Sequence, residues 1–242
     1  MKLIKSVIFL FLLAGLITTS NAQLKDLLKK VTGGSTTTSE NSDDSKIIAG
    51  LKEALDVGTG NAVKSVSAVD GFLKNELIKI MLPPEIKKIE SVLKTVGAGK
   101  IMDDFVTSMN RAAESASKEA APIFVDAIKK MTIQDAYKIL KGRENEATLY
   151  FQEKTTDSLS AKFTPIVSKS MDENNVTKYY KVVAEKANSI PFMSKINVNL
   201  DKYVTDKTLD GLFTVVGQEE AKIRKDPAAR ISDLLKDVFG SN

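Results

Sequence analysis

The sequence predicts an all-α protein: a single multi-helix, bundle-like domain after a signal peptide and a flexible linker. Three observations carry this reading. From Ile47 onward, apolar residues recur at spacings of three and four, as on one face of a helix. Proline, glycine, threonine and aspartate punctuate that pattern where helices start and stop. No stretch shows a convincing two-residue alternation of the kind that marks a half-buried strand.

The first 22 residues, MKLIKSVIFLFLLAGLITTSNA, have the three parts of a secretory signal peptide. Lys2 and Lys5 form the positive end, an apolar run spans residues 7–17, and Ser20 and Ala22 are the small residues of a cleavage site. The run is shorter than the roughly 20 residues of a membrane span. The mature chain is therefore expected to begin at Gln23, to be soluble, and to be exported to the periplasm or cell envelope with no transmembrane span. Residues 23–31 (QLKDLLKKV) suit a short amphipathic segment, and residues 32–45 (TGGSTTTSENSDDS) read as a flexible tether with little to bury. The organisation predicted is 1–22 signal peptide, 23–45 short segment and linker, and 46–242 helical domain.

Within that domain, Ile47, Ile48, Leu51, Ala54 and Leu55 share a face of the first helix, which Gly58 and Gly60 are expected to disturb. Pro83 and Pro84 open another, with a stripe of Ile86, Ile89, Val92, Leu93 and Val96 that Gly97 stops. Ile101, Met102, Phe105, Val106, Met109, Ala112, Ala113 and Ala116 outline a longer helix, ended or bent by Pro122. Thr132 to Asp135 resembles a capping box, and Gly142 closes its helix. A helix over 144–162 buries Ala147, Tyr150, Phe151 and Leu159; Thr164-Pro165 then starts the next, and Tyr179, Tyr180 and Val183 belong to the one after. Thr205 is read as the cap of a helix carrying Leu209, Leu212, Phe213 and Val216, and Asp226-Pro227 as the opening of a last helix over 228–239.

Composition excludes much chemistry. There is no cysteine, hence no lipid anchor at the cleavage site, no disulfide and no thiolate. There is no histidine, which removes the usual general base and the commonest zinc ligand. No P-loop, Rossmann, EF-hand or nucleophile-elbow motif is present. No cofactor and no metal site is therefore expected. Loss of Lys2 and Lys5 lowers the formal charge from +4 to +2, arginines are few and lysines alternate with acids, which argues against nucleic acid as a partner. Ser91/Lys94 and Ser115/Lys118 have Ser-x-x-Lys spacing without the companion motifs of enzymes that use it. Asp103-Asp104 and Glu219-Glu220 are neighbouring acids that diverge on a helix, and Glu220 with Arg224 is spaced for a surface ion pair.

The most suggestive stretch is MNRAAE at residues 109–114. Its alanines let another helix approach closely, which would bring Asn110, Arg111 or Glu114 into crowded surroundings where they need hydrogen-bond partners. A buried polar network that sets helix register is the leading explanation; a polar floor to a ligand pocket is the functional one. In the second case Asn110, Arg111 and Glu114 would orient a ligand, and Phe105, Met109, Tyr150 and Phe213 would line its apolar part. Gly211, inside a helix pattern, signals close packing.

The same segments carry a resemblance. The blocks LKEALDVGTGNAV (51–63), DGFLKNELIKIMLP (70–83), MNRAAE (109–114), MTIQDAYKILKG (131–142), ATLYFQEKT (147–155) and LDGLF…EE…IRKDP (209–227), closed by FG at 239–240, resemble the bacterial family called domain of unknown function 4197. The resemblance implies an exported helical domain and brings no catalytic residues with it. The function expected is non-catalytic binding of an envelope protein partner or a small apolar ligand. The alternatives are an envelope hydrolase using paired carboxylates, which requires two acids to converge in a cleft, and a structural or assembly protein.

Overall fold

A computed structural model describes residues 36–95, 97–189 and 196–225, with side chains from residue 45. The fold is all-α. Among the described residues there are nine helices and no strand. They are α1 (Thr36–Ser67), α2 (Pro84–Lys87), α3 (Glu90–Thr95), α4 (Gly99–Ser117), α5 (Ala120–Lys130), α6 (Ile133–Lys141), α7 (Glu146–Glu173), α8 (Val176–Asn188) and α9 (Leu200–Lys225). The chain divides into two compact units, Met1–Ile47 and Ile48–Asn242. Helices α2 to α9 and the greater part of α1 belong to the second. The signal peptide, the segment at 23–31 and the helix expected over 228–239 lie outside the described residues.

Helix α1 starts at Thr36, ahead of the domain start read at Lys46 and inside the stretch read as a tether. Gly58 and Gly60 do not interrupt it. A Cβ at Gly58 would sit 3.2 Å from Ile223 Cδ1, so the glycine there is where α9 comes close; at Gly60 the space is open. Helix α7 is the hub, packing against α4, α5, α6, α8 and most extensively α9. Its apolar stripe, Phe151, Leu159, Phe163 and Val167, is fully buried. Phe124 of α5 stands edge-on to Phe151 of α7 at 5.2 Å and to Phe213 of α9 at 6.3 Å, the geometry aromatic quadrupoles prefer.

Four expectations are corrected. The helix expected at 144–162 and the one expected at Thr164-Pro165 are a single helix, α7, with Pro165 inside it. Proline in a helix interior costs about 3 kcal/mol, but Phe163 and Val167, both fully buried, are held only if the helix continues. Thr164 Oγ1 also donates to Ser160 O at 2.8 Å beside the break in the ladder. Thr205 is not a cap: α9 begins at Leu200, and Asn199 Oδ1 accepts from Lys202 N at 3.0 Å. Thr205 is buried and its hydroxyl has no partner among the described residues. The break before α5 falls at Lys118 and Glu119, and Pro122 sits in the first turn of α5 where its missing N–H is harmless. Finally, the helix expected after Pro83 divides into α2 and α3, with Val92 left exposed.

Gly97 stops α3 in the left-handed conformation at φ +79, as a side chain could do only with strain. The capping box is present in full. Thr132 Oγ1 accepts from Asp135 N at 3.1 Å while Asp135 Oδ2 accepts from Thr132 N at 3.0 Å. Thr132 Oγ1 also donates to Asp135 Oδ2 at 2.7 Å, and this bond first and the backbone one second hold the Asp135 carboxyl below its ordinary value.

Pro165→Ala should raise stability to urea by about 1–3 kcal/mol, since it restores a helix hydrogen bond without touching the core; an unchanged midpoint would mean the ladder is already relaxed there. A depressed folded-state pKa adds stability above the unfolded value of 3.8 that is lost as pH falls through the folded value. The gap in urea midpoint between the wild-type chain and Asp135→Asn should therefore be full near neutrality and shrink below pH 3.8.

Candidate functional site

Between α1 and α2 the chain runs through residues 68–83 without regular secondary structure apart from turns. Its backbone groups have no helix to pair in, yet Phe72 and Ile80 are fully buried, and Ile78 and Leu82 nearly so. Buried N–H and C=O groups left unpaired are costly. Turns within the stretch pair some of them, such as Lys74 N with Asp70 O at 3.1 Å, and helix α4 supplies partners for Phe72, Leu73 and Ile80.

Asn110, fully buried on α4, accepts from Ile80 N through Oδ1 at 2.8 Å and donates to Ile80 O through Nδ2 at 2.8 Å. Its carboxamide thus pairs with Ile80 as a neighbouring strand would. Nδ2 also donates to Val106 O at 2.7 Å, so both its oxygen and its amide group are engaged. One turn on, buried Glu114 accepts from Phe72 N at 3.2 Å and Leu73 N at 3.3 Å through Oε1, and from Arg111 through Oε2 at 2.6 Å. Arg111 spans the gap back to the loop, donating to Asp70 Oδ1 at 2.6 Å. Asp70 also pairs with Lys74 at 2.8 Å, and these two cations, Lys74 first, hold its carboxyl below the ordinary range. The two acids, Asp70 first, raise Arg111 further above its already high value.

Asp70 takes a left-handed turn at φ 69, and Gly71 follows so closely on α1 that a Cβ would lie 2.3 Å from Ser65 O. On the other side, Gly211 of α9 makes room for the loop: a Cβ there would meet Phe72 Cε1 at 2.5 Å and Ile78 Cβ at 3.2 Å. The close packing expected of Gly211 is thus explained. The loop is pressed between α4 and α9, and Tyr203 of α9 donates to Met81 O at 3.0 Å from the outside.

Of the seven residues proposed from the sequence, Asn110, Arg111 and Glu114 act together, with their polar atoms turned to the loop. Met109 and Phe105 are fully buried in the core, Phe105 beside Tyr180 at 6.3 Å. Phe213 belongs to the aromatic group around Phe124. Tyr150 stands apart from the α4 network: its hydroxyl donates to Ala127 O at 3.1 Å, and it lines a polar cleft of about 320 Å³ with Lys130, Thr132, Asp135 and Lys154. Burial raises its hydroxyl pKa. The seven therefore do not line one pocket.

Sequence reasoning missed Asp70, Gly71, Phe72 and the run 77–82. The signal existed: Ile78, Ile80 and Leu82 alternate with Lys79 and Met81, and the structure turns the first three inward and leaves Met81 exposed. It also misplaced Glu220, read as half of a surface pair. Glu220 is buried and accepts from Ala147 N at 3.0 Å, Thr148 N at 2.8 Å and Thr148 Oγ1 at 2.7 Å, capping the start of α7. Arg224, donating to Glu220 and to Ile139 O at 2.9 Å, completes it. Lys94 of the Ser91/Lys94 pair is bound to Glu90 at 2.8 Å, which raises its pKa, the wrong direction for a general base. Among the described residues no group of three or more His, Cys, Asp or Glu side chains could hold a metal ion, and no helix is long and apolar enough to cross a membrane.

Residues 41–240 match the family described as "Protein of unknown function (DUF4197)". The chain belongs to that family. No curated protein and no solved structure matches it. The DUF4197 match takes in the loop, α4 and α9 together, so the whole network lies within the family region.

Removing the Asn110 carboxamide would orphan two buried backbone groups. Asn110→Ala should cost about 3 kcal/mol in urea denaturation, and Glu114→Ala about as much. Amide exchange at Ile80 should rise selectively in the first variant and at Phe72 in the second, with α7 unaffected. Uniform acceleration along the chain would mean the network supports the whole fold and not this loop in particular.

Proposed function

We propose that this protein is a non-catalytic binding protein of the cell envelope, with the ordered stretch 69–82 as its recognition element. The observation that carries the reading is a combination. Val69, Leu77 and Met81 are 79%, 72% and 48% exposed, on a backbone held by Asn110, Glu114 and Arg111. Single exposed apolar residues are ordinary on any surface. Three on one short loop, with buried polar groups holding that loop in place, are the arrangement of a pre-organised contact surface.

The reading shifts the role of the sequence motif. Asn110, Arg111 and Glu114 hold the surface that recognises, where the sequence suggested they would touch a ligand themselves. A ligand engaging Asn110 would have to displace its bonds to Ile80. The surface is flanked by two open grooves. One, of about 270 Å³, runs between Leu77, Met81, Tyr203 and Lys207; the other, of about 210 Å³, lies between Met81, Met102 and Val106. Export rests on the signal-peptide pattern of residues 1–22, and with no cysteine at its cleavage site the chain would be exported without a lipid anchor there.

Photo-crosslinking in living host cells tests this. A photoreactive residue at Leu77 or Met81 should give a discrete, saturable adduct, while one at Ile133, equally apolar and 61% exposed elsewhere, should not. Equal labelling from all three positions, or none from any, would remove the reading. Separately, failure of the precursor to shorten by its first 22 residues on expression in the host would remove export.

A further inference from the structure

The loop presents more than apolar side chains. Around Ile80 the burial alternates residue by residue: Ile78, Ile80 and Leu82 face inward, Met81 faces out, and Lys79 is half-buried. In an extended chain the N–H and C=O of one residue point to one side, and those of its two neighbours to the other. Asn110 takes both groups of Ile80 on the inner side. The flanking peptide groups are planar and trans, so Lys79 C=O and Met81 N–H point away from Asn110. Their neighbours are engaged: Lys79 N closes a turn on Asn75 O at 2.9 Å, and Met81 O accepts from Tyr203 Oη at 3.0 Å. Lys79 C=O and Met81 N–H themselves have no partner among the described residues.

We propose that this edge is a strand-addition site: an extended peptide pairs its backbone with Lys79 C=O and Met81 N–H, sets apolar side chains on Leu77 and Met81, and places a carboxylate beside Lys79. The proposal rests on the binding reading of the same loop and names its occupant. Backbone pairing at an exposed edge supplies affinity, and alternate side chains supply selectivity. The edge is held ready on its inner side by an asparagine that imitates a strand, so a peptide meets a backbone already in place.

Charge selects the kind of peptide. The cations bordering the two grooves are Lys79, Lys87 and Lys207. Lys87 is paired with Glu90 at 2.6 Å and Lys207 with Asp210 at 2.9 Å. Lys79 alone of the three has no acidic partner among the described residues, and it sits between the two apolar contacts. A carboxylate flanked by apolar residues is therefore the complementary pattern, and a cationic peptide is disfavoured.

The test uses the full mature chain labelled for NMR. In the free protein, Ile80 N–H should exchange with solvent at least about tenfold more slowly than Met81 N–H, since only the first is bonded. The probe is a panel of acetylated, amidated octapeptides alternating acidic and apolar residues, with two control panels: lysine in place of the acids, and N-methyl groups on the amides. The acidic panel should contain members that slow exchange at Met81 by about tenfold and shift the Lys79 and Met81 signals. The N-methylated and lysine panels should not.

Met81→Pro removes the donor, and the acidic peptides should then no longer shift the Lys79 signal; Met81→Ala keeps the donor and should retain both that shift and the protection at residue 81. Equal exchange at Ile80 and Met81 in the free chain, or protection by the lysine panel as strong as by the acidic one, would overturn the proposal. So would failure of every acidic peptide to protect Met81. Were that failure to coincide with discrete adducts from Leu77 and Met81 in cells, the surface would bind its partner by side chains alone. The binding reading would then survive and strand addition would not.

Discussion

An all-helical protein that lets residues 68–83 leave the helical pattern must find partners for their buried backbone groups, and the rest of this structure is arranged around that need. The stretch carries four apolar side chains, Phe72, Ile78, Ile80 and Leu82, into the core, which draws its peptide groups away from water. Helices cannot lend their own backbone groups, because those are used internally. Where the stretch's own turns do not pair them, the partners have to be side chains, long enough to reach and fixed enough to matter. Asn110 and Glu114 meet both conditions because Ala112, Ala113 and Ala116 around them keep α4 slim where the bundle closes on it. The small residues and the polar ones are two halves of one solution.

The same solution occurs a second time. Glu220 on α9 receives two consecutive backbone N–H groups at the start of α7, as Glu114 receives two at the start of the loop. Each has an arginine on its own helix, three residues earlier for Glu114 and four later for Glu220. A carboxylate accepting backbone N–H groups near a helix start is favoured by the local dipole as well as by the hydrogen bonds. The arginine offsets the charge where little water is present. In both places the ion pair is local to one helix, and it is the carboxylate's bonds to backbone N–H groups that join distant parts of the chain, so they bear as much on which segments meet as on how strongly they hold.

Helical periodicity made the fold class legible, and the local chemistry of Thr132-Ile133-Gln134-Asp135 made one helix start legible to the residue, because capping depends only on near neighbours. What depended on distant neighbours was not legible. Pro165 reads as a start signal by itself; burial of Phe163 and Val167 on either side overrides it, and that burial is set by helices packed on α7 from elsewhere in the chain. Thr205 reads as a cap, but Asn199 already serves the start of α9. The MNRAAE motif was visible as a place where polar groups would be crowded, whereas their actual partners were backbone atoms some 30 to 42 residues away, which leave no mark in composition. Glu220 misled for the opposite reason: its spacing to Arg224 is that of countless surface pairs, and only the approach of α7 makes it buried.

The asymmetry of the loop is the last consequence of how it is held. A hairpin or a sheet would have satisfied the inner groups of residues 78–82 and continued outward with more strands. Here a single asparagine side chain ends the inner pairing, and one tyrosine covers part of the outer side. What remains is a very short, rigid edge with apolar side chains around it. Long exposed edges invite uncontrolled pairing, and proteins usually blunt them with charge, proline or brevity. Lys79 stands on this edge, Pro83 and Pro84 end it, and only two groups are open. That combination limits how freely the edge can pair with copies of itself. A loop that only connected α1 and α2 could have been hydrophilic and unpinned; this one buries Phe72, Ile78, Ile80 and Leu82, and the network beneath it answers the peptide groups buried with them.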